Sequence, residues 1–153
     1  MPSSSPSIRF VSATPEDFED LLALRIDAMR ESLERIGRFD PARARERFLS
    51  GFSAERTRYV EYENQRVGFV VTKIQDDSLL LDHLYIHPKY QNRGIGGAVI
   101  SQVITEAQAL HLPVRVGALR DSDSNRFYVA NGFQLVDQAE FDNYYIRPVQ
   151  NAL

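Results

Sequence analysis

The sequence predicts a mixed α/β domain in which three consecutive strands stand between two helical stretches. Residues 57–62, 67–74 and 79–86 are rich in valine, tyrosine, phenylalanine and leucine, and polar turns separate them. Apolar residues recur at helical spacing both before and after this run. With shorter strands at both ends of the chain, the predicted order of elements is β-α-α-β-β-β-α-β-α-β-β.

The N-terminal part is predicted to hold one edge strand and two helices. Residues 8–11 form a short apolar segment, which is typical of an edge strand. Thr14 and Pro15 then indicate a helix start, because threonine caps free N–H groups and proline suits the first turn. An Asp-Pro pair at 40–41 indicates the start of a second helix, which ends at Gly51.

The strand at 79–86 is apolar on both faces apart from two residues, so it is predicted to lie in the middle of the sheet. After a glycine-rich segment, a third helix carries Ile100, Val103 and Ala107 on its inward face. The remaining elements are predicted as a strand at 113–119, a helix at 121–131 and strands at 133–136 and 143–146.

The composition excludes several classes of protein. A chain of 153 residues corresponds to about one domain, which we expect at residues 8–149 after a flexible polar tail at residues 1–7. The net charge of −3 argues against a nucleic-acid binder. There is no cysteine, and the three histidines are scattered, so we expect neither disulfides nor a metal. With no apolar run of about 20 residues and no signal peptide, we expect a cytoplasmic protein without a membrane partner.

The glycine-rich segment at 91–97 follows a strand and begins a helix. Free N–H groups and the positive end of the helix dipole make such a position suitable for a phosphate, and glycines let it approach the backbone. Two familiar phosphate loops do not match, because a dinucleotide fingerprint needs glycine where Val99 stands and a P-loop needs lysine after Gly97. Taken alone, the segment is equally consistent with a tight helix start.

Two motifs together resemble the GNAT superfamily of acyl-CoA-dependent N-acetyltransferases. Residues 84–88 (LYIHP) and 91–96 (QNRGIG) are similar to its strand, Gln/Arg-x-x-Gly-x-Gly/Ala and helix signature. Residues 124–133 (SNRFYVANGF) are similar to its second motif, in which a Phe-Tyr pair precedes Gly-Phe. The resemblance implies a central twisted mixed sheet of six to seven strands flanked by four helices, and acetyl-CoA as the acyl donor.

The resemblance also implies how acetyl-CoA is bound. The pantetheine arm would lie where the strand ending at Ile86 separates from the next strand, and it would pair with the backbone of Leu84 and Ile86. The pyrophosphate would sit on the N–H groups of residues 92–97. Many family members contact the cofactor through an asparagine seven residues before the tyrosine, but this chain has Asp121 there, and Asn125 is the alternative. The expected cofactor-binding residues are Leu84, Tyr85, Ile86, Gln91, Asn92, Arg93, Gly94, Ile95, Gly96, Gly97, Asn125 and Tyr128.

The expected reaction is direct attack of a primary amine on the thioester in a ternary complex, with a backbone N–H stabilising the oxyanion. Tyr128 matches the family's general acid, and a phenol of pKa about 10 suits the protonation of a departing thiolate. The alternative is that Tyr128 is only a core aromatic. Asp82 and His83 are the candidate bases, on opposite faces of one strand. The alternative for that pair is a solvent-facing residue and an internally hydrogen-bonded one.

The acceptor stays open between small amines, amino acids, peptide N-termini and lysine side chains. We expect residues 29–39 and 137–145 to border its cleft, where acidic and aromatic side chains could contact it. These are Glu31, Glu34, Glu140, Asp142, Phe39, Tyr144 and Tyr145. A homodimer is also left open. The alternative functions are a non-catalytic acyl-CoA-binding or regulatory module on the same fold, and a purely structural α/β domain.

Overall fold

The computed structural model describes residues 6–35, 37 and 40–150. It confirms the predicted order of elements. The helices are α1 (Phe18–Arg35), α2 (Pro41–Gly51), α3 (Ile95–Ala109) and α4 (Ser124–Ala130). The strands are β1 (Ile8–Ser12), β2 (Thr57–Tyr62), β3 (Gln65–Ile74), β4 (Leu79–Ile86), β5 (Val114–Leu119), β6 (Gln134–Gln138) and β7 (Asp142–Arg147). The predicted tail at residues 1–7 lies outside the described residues except for its last two.

The seven strands form one sheet in the order β1-β2-β3-β4-β5-β7-β6. β1 is therefore an edge strand and β4 the central one, as predicted. β4 and β5 pair in parallel, and α3 is the crossover that such a pair requires. The pairs β1–β2, β2–β3, β5–β7 and β6–β7 are antiparallel. The predicted mixed sheet is thus confirmed.

The chain forms two compact units. The first unit comprises Met1–Val71 and His83–Val99, and the second comprises Thr72–Asp82 and Ile100–Leu153. Strands β3 and β4 and helix α3 each pass from one unit to the other. That residues 8–149 fold as a single domain stays a prediction. Among the described residues, no helix has the length and apolar character to span a membrane.

Aromatic side chains fill the core of the first unit. The ring of Phe48 on α2 lies 5.4 Å from that of Phe18, 5.7 Å from that of Phe52 and 5.8 Å from that of Phe69 on β3. Leu21 of α1 is fully buried in the same cluster. These contacts hold α1 and α2 against one face of the sheet in this unit, because burial of large aromatic rings is a main source of packing energy.

Both predicted helix starts are capped by side chains. The Asp17 carboxylate accepts hydrogen bonds from the backbone N–H of Thr14 at 2.8 Å and from its hydroxyl at 3.1 Å. The backbone bond from Thr14 is the main reason why the pKa of Asp17 lies below its ordinary value. At α2, the Asp40 carboxylate accepts a bond from the N–H of Arg43 at 3.2 Å, and the helix ends at Gly51 as predicted.

Gly68 in β3 lets the backbone of β3 approach the end of β4 closely. A Cβ atom at this position would stand 2.1 Å from the carbonyl oxygen of Tyr85 and 2.9 Å from Cδ1 of Ile86. The β2–β3 register shifts beside it, so that Val60 opposes Gly68 while the next residue of β2 opposes Arg66. Only glycine fits here without moving backbone.

In the second unit, α4 begins three residues later than predicted. The helix was expected at residues 121–131 but spans Ser124–Ala130. The reason is local: the Asn125 amide donates to the carbonyl oxygens of Leu119, Arg120 and Ser122 at 2.7, 3.1 and 2.9 Å. These bonds hold the chain after β5 in a turn rather than a helix.

We expect Gly68→Ala to lower the free energy of unfolding by about 1–3 kcal/mol or more, because the added methyl collides with a carbonyl group rather than with a flexible side chain. The matched control is Gly51→Ala, where the added Cβ has nothing within 4 Å. The control should be neutral or slightly stabilising. Chemical denaturation of both variants measures the difference, and equal stabilities would contradict the close approach.

Candidate functional site

Strand β4 extends beyond its pairing with β5. Within the described residues, the parallel register runs from Leu79–Val114 to Leu81–Val116, whereas β4 continues to Ile86. Leu84 and Ile86, the two residues expected to pair with the pantetheine arm, lie beyond the end of that register. The pairing of a ligand there stays a prediction.

A compact turn holds the end of β4 in the first unit. The N–H of His87 donates to the carbonyl of Val67 on β3 at 2.8 Å, and the Gln91 amide donates to the carbonyl of Ile86 at 2.8 Å. Between them, the His87 ring nitrogen Nδ1 accepts a bond from the N–H of Lys89 at 3.1 Å. Gln91, an expected cofactor contact, thus ties the following loop to the last residue of the strand.

The loop between this turn and α3 alternates in backbone conformation. Asn92 has a φ of 64° and Gly94 a φ of 81°, while Arg93 between them is not in the left-handed region. Backbone N–H groups in turns that contain left-handed residues can form an anion-binding concavity, called a nest. The first i to i−4 bond of α3 runs from the N–H of Ala98 to the carbonyl of Gly94 at 3.1 Å. The N–H groups just before Ala98 therefore lack acceptors within the helix.

Space is available beside the start of α3. A Cβ atom built on Gly97 meets no described atom within 4 Å, and one on Gly94 meets only Pro6, at 3.5 Å. Ile95 is 1% exposed and anchors the helix in the core. The Arg93 guanidinium lies over the ring of Tyr90 at 5.5 Å from its centroid and adds positive charge beside the loop. Open N–H groups, positive charge and free volume together suit a phosphate.

His83 and Tyr85 face the aromatic core of the first unit. The Nδ1 atom of His83 lies 3.1 Å from the Tyr85 hydroxyl, and its ring lies 5.8 Å from that of Phe48 in an edge arrangement. The Tyr85 ring packs at 5.4 Å from Phe69. Asp82, the other candidate base, is exposed and belongs to the second unit. The role of either residue as a base stays a prediction.

Tyr128 lies in an aromatic cluster of the second unit. It is 6% exposed, and its ring is 5.3 Å from that of Phe127, 5.4 Å from that of Phe133 and 6.2 Å from that of Tyr145. Its position on α4 therefore depends on packing that a tyrosine and a phenylalanine would share. The role of Tyr128 as the general acid stays a prediction.

Asn125 is the centre of a hydrogen-bond network in the same unit. Its amide nitrogen donates to three backbone carbonyls, and its amide oxygen accepts from the hydroxyl of Tyr145 at 2.7 Å and from the amide of Asn143 at 2.9 Å. These bonds join α4 to β7. Asp121 is exposed. A cofactor contact through Asn125 stays a prediction, with Asp121 as the alternative.

The expected acceptor residues are only partly described. Phe39 lies outside the described residues, and Glu31 forms an exposed ion pair with Arg35 at 3.3 Å. Arg25, which was not predicted as a site residue, is partly buried on α1 beside Phe48 and Tyr85. The available signal was its spacing, since it follows the buried Leu21 by one helical turn. In the described part of the chain, no group of three or more acids and histidines is arranged to hold a metal.

Comparison with known proteins gives a family match and many structural matches. Residues 54–135 match the model of the acetyltransferase (GNAT) domain. Comparison with curated protein sequences gives no match.

Two solved structures have folds similar to that of the whole chain. The PaiA N-acetyltransferase of Thermoplasma acidophilum, in complex with coenzyme A, superimposes with a TM-score of 0.76 at 18% identity, covering 93% of this chain and 99% of its own. An acetyltransferase of Thermus thermophilus superimposes with a TM-score of 0.70 at 18% identity, covering 94% of this chain and 97% of its own.

A third similar structure is part of a longer protein. The N-acetylglutamate synthase of Neisseria gonorrhoeae, complexed with coenzyme A and N-acetyl-glutamate, gives a TM-score of 0.67 at 15% identity, covering 97% of this chain and 36% of its own. At these identities the structures support the fold alone. The family model covers more than half of the chain, including β4, the loop and α4. The chain belongs to the GNAT family of acetyltransferases.

Proposed function

We propose that this protein transfers the acetyl group of acetyl-CoA to a primary amine by direct attack in a ternary complex. The observation that carries the proposal is the loop at residues 92–97, where alternating backbone conformations lead into the open start of α3. Coenzyme A in the similar structure from Thermoplasma acidophilum supports the same donor class for this chain.

Residues of the first unit are proposed to bind two parts of acetyl-CoA, the pyrophosphate and the pantetheine arm. The N–H groups at 92–97 would hold the pyrophosphate. Those just before Ala98 lack acceptors within α3, and they lie at the positive end of this helix of 15 residues. The backbone of Leu84 and Ile86 would pair with the amides of the pantetheine arm, as an added strand does. When bound, acetyl-CoA supplies an activated acyl group.

The chemical steps require the amine nitrogen to lose two protons and the sulfur to gain one. As the amine nitrogen forms a bond to the acetyl carbon, the C–S bond breaks and the departing thiolate takes a proton, for which we propose Tyr128. The nitrogen then gives up its second proton, which restores the Tyr128 hydroxyl directly or through water. The attacking ammonium must first lose a proton. Asp82 and His83 are the proposed acceptors of that proton, directly or through water.

We expect thiol to be released from acetyl-CoA only in the presence of an amine. Tyr128→Phe should lower kcat by about 10²–10⁴-fold, because the hydroxyl acts only as the C–S bond breaks. The rise in Tm caused by acetyl-CoA should be nearly the same in both proteins, since the ring and its packing remain.

The matched control is Tyr62→Phe, which also removes a tyrosine hydroxyl but from β2, a strand that carries no residue with a proposed role in binding or catalysis. It should leave kcat and the rise in Tm caused by acetyl-CoA largely unchanged. A loss in Tyr128→Phe smaller than about threefold, with chemistry shown to be rate-limiting, would exclude Tyr128 as the acid. Acetyl-CoA binding without thiol release for any amine would indicate a non-catalytic acyl-CoA-binding module instead.

Gly97→Val should weaken acetyl-CoA binding by about tenfold or more while the protein stays folded, because the added side chain enters open space intended for the pyrophosphate. Gly97 is a cleaner test than Gly94, whose φ of 81° would strain any substitution. Titration calorimetry with acetyl-CoA and with desulfo-CoA measures the affinity.

Ala109→Val is the control, because Ala109 is exposed at the opposite end of the same helix. It should leave the affinity unchanged. If Gly97→Val binds both ligands as the wild type does, the loop is only a helix start.

A further inference from the structure

Arg25 occupies an unusual position in the first unit. It projects from α1 among aromatic side chains, and its guanidinium carbon lies 5.9 Å from the ring centroids of both Phe48 and Tyr85. Phe48 is 3% exposed, so one of these rings belongs to the buried core. A guanidinium at this distance from two rings gains some cation–π attraction, but the rings satisfy none of its N–H groups.

The hydrogen bonds of Arg25 are incomplete. Among the described residues, its buried Nε atom has no hydrogen-bond partner, and its Nη1 atom reaches the carbonyl of Ala44 at a long 3.5 Å. Within the described part of the chain, no carboxylate forms an ion pair with it. Leaving a partly buried charge without a counter-ion is costly, and an anionic ligand beside Arg25 would offset that cost.

Other arginines of the first unit show the contrast. Arg9 pairs with Glu61 at 2.7 Å, Arg45 with Glu19, and Arg66 with Asp17 at 3.6 Å. Each of these three is about half exposed or more, yet each has a carboxylate partner. Arg25 is more enclosed and has no carboxylate partner in the part of the chain that the structure describes.

The surroundings of Arg25 connect it to the proposed chemistry. Tyr85, one of the two rings beside the guanidinium, is held by His83 through the 3.1 Å contact of its hydroxyl. His83 is also in ring contact with Phe48. Arg25, His83 and Tyr85 are each partly exposed, whereas Phe48 is buried. We call Arg25, Phe48, His83 and Tyr85 the Arg25 cluster.

We propose that the Arg25 cluster binds a carboxylate of the amine acceptor, which makes the acceptor an amino acid or a similar amine bearing a carboxylate. This inference rests on the proposed acetyl transfer. The planar guanidinium offers paired N–H donors that match a carboxylate, and an enclosed site strengthens such a charge-assisted bond. The same charge repels a second ammonium group, so polyamines fit this site poorly.

The test compares acceptors that differ in the carboxylate alone. Phenylalanine, leucine and methionine are each assayed beside the amide of the α-carboxyl group and the corresponding decarboxylated amine, with kcat/KM measured from thiol release. In the wild type, the acid should exceed both counterparts that lack the carboxylate by about tenfold or more for at least one amino acid. Arg25→Gln should reduce that ratio to about one, and Arg25→Lys should keep part of it. The KM for acetyl-CoA should not change.

Arg9→Gln is the control, because it removes an exposed arginine of the same unit and should leave the ratio unchanged. A wild type that prefers the amides or decarboxylated amines overturns the proposal, and so does an Arg25→Gln protein that folds and keeps the wild-type ratio. Either result leaves acetyl transfer itself standing.

A binding measurement separates this inference from the proposed reaction. With CoA present, at least one of N-acetylphenylalanine, N-acetylleucine and N-acetylmethionine should bind to the wild type and bind about tenfold or more weaker to Arg25→Gln by calorimetry. If no amine releases thiol but this binding depends on Arg25, the carboxylate site stands and the transferase does not. If neither activity nor Arg25-dependent binding is found, both are overturned.

Discussion

The close approach of β3 to the end of β4 at Gly68 is the constraint on which the first unit depends. Because Gly68 lacks a Cβ atom, the carbonyl of Tyr85 lies where that atom would be. The neighbouring Val67 then accepts the N–H of His87 at 2.8 Å. These contacts determine where β4 ends, and with it the position from which the loop and α3 begin.

The end of β4 contacts both the proposed acceptor site and the proposed phosphate loop. The ring of Tyr85 packs with His83 and Phe69 in the region of α1 and α2, where we propose that the acceptor binds. The carbonyl of Ile86 is tied to Gln91, from which the chain enters the proposed phosphate loop. A shift of the end of β4 would therefore disturb both groups together.

Patterns local in sequence predicted the element order and the loop. Strand and helix periodicity along the chain identified the four α-helices and seven strands of the described structure, and the glycine spacing located the start of α3. The late start of α4 was not predicted, because the side-chain amide of Asn125 bonds to carbonyl groups of the preceding turn. Bonds between a side chain and the backbone leave no periodic signal in the sequence.

Gly68 and Arg25 were missed for a related reason. An isolated glycine in a strand does indicate a close backbone approach, but which backbone approaches depends on the β3–β4 pairing. An arginine at an inward helical position is expected to extend its long side chain to solvent. Only the packing shows that the Nε atom of Arg25 is buried without a hydrogen-bond partner among the described residues.

The proposed function requires acetyl-CoA to bind at residues 92–97. Amide hydrogen exchange measured by NMR tests this binding directly. Adding acetyl-CoA should slow exchange of the loop amides from Asn92 to Gly97, because the phosphates would take their free N–H groups. The amides of Leu79–Leu81, within the β4–β5 register, should change little. Unchanged exchange in the loop under saturating acetyl-CoA would contradict the account.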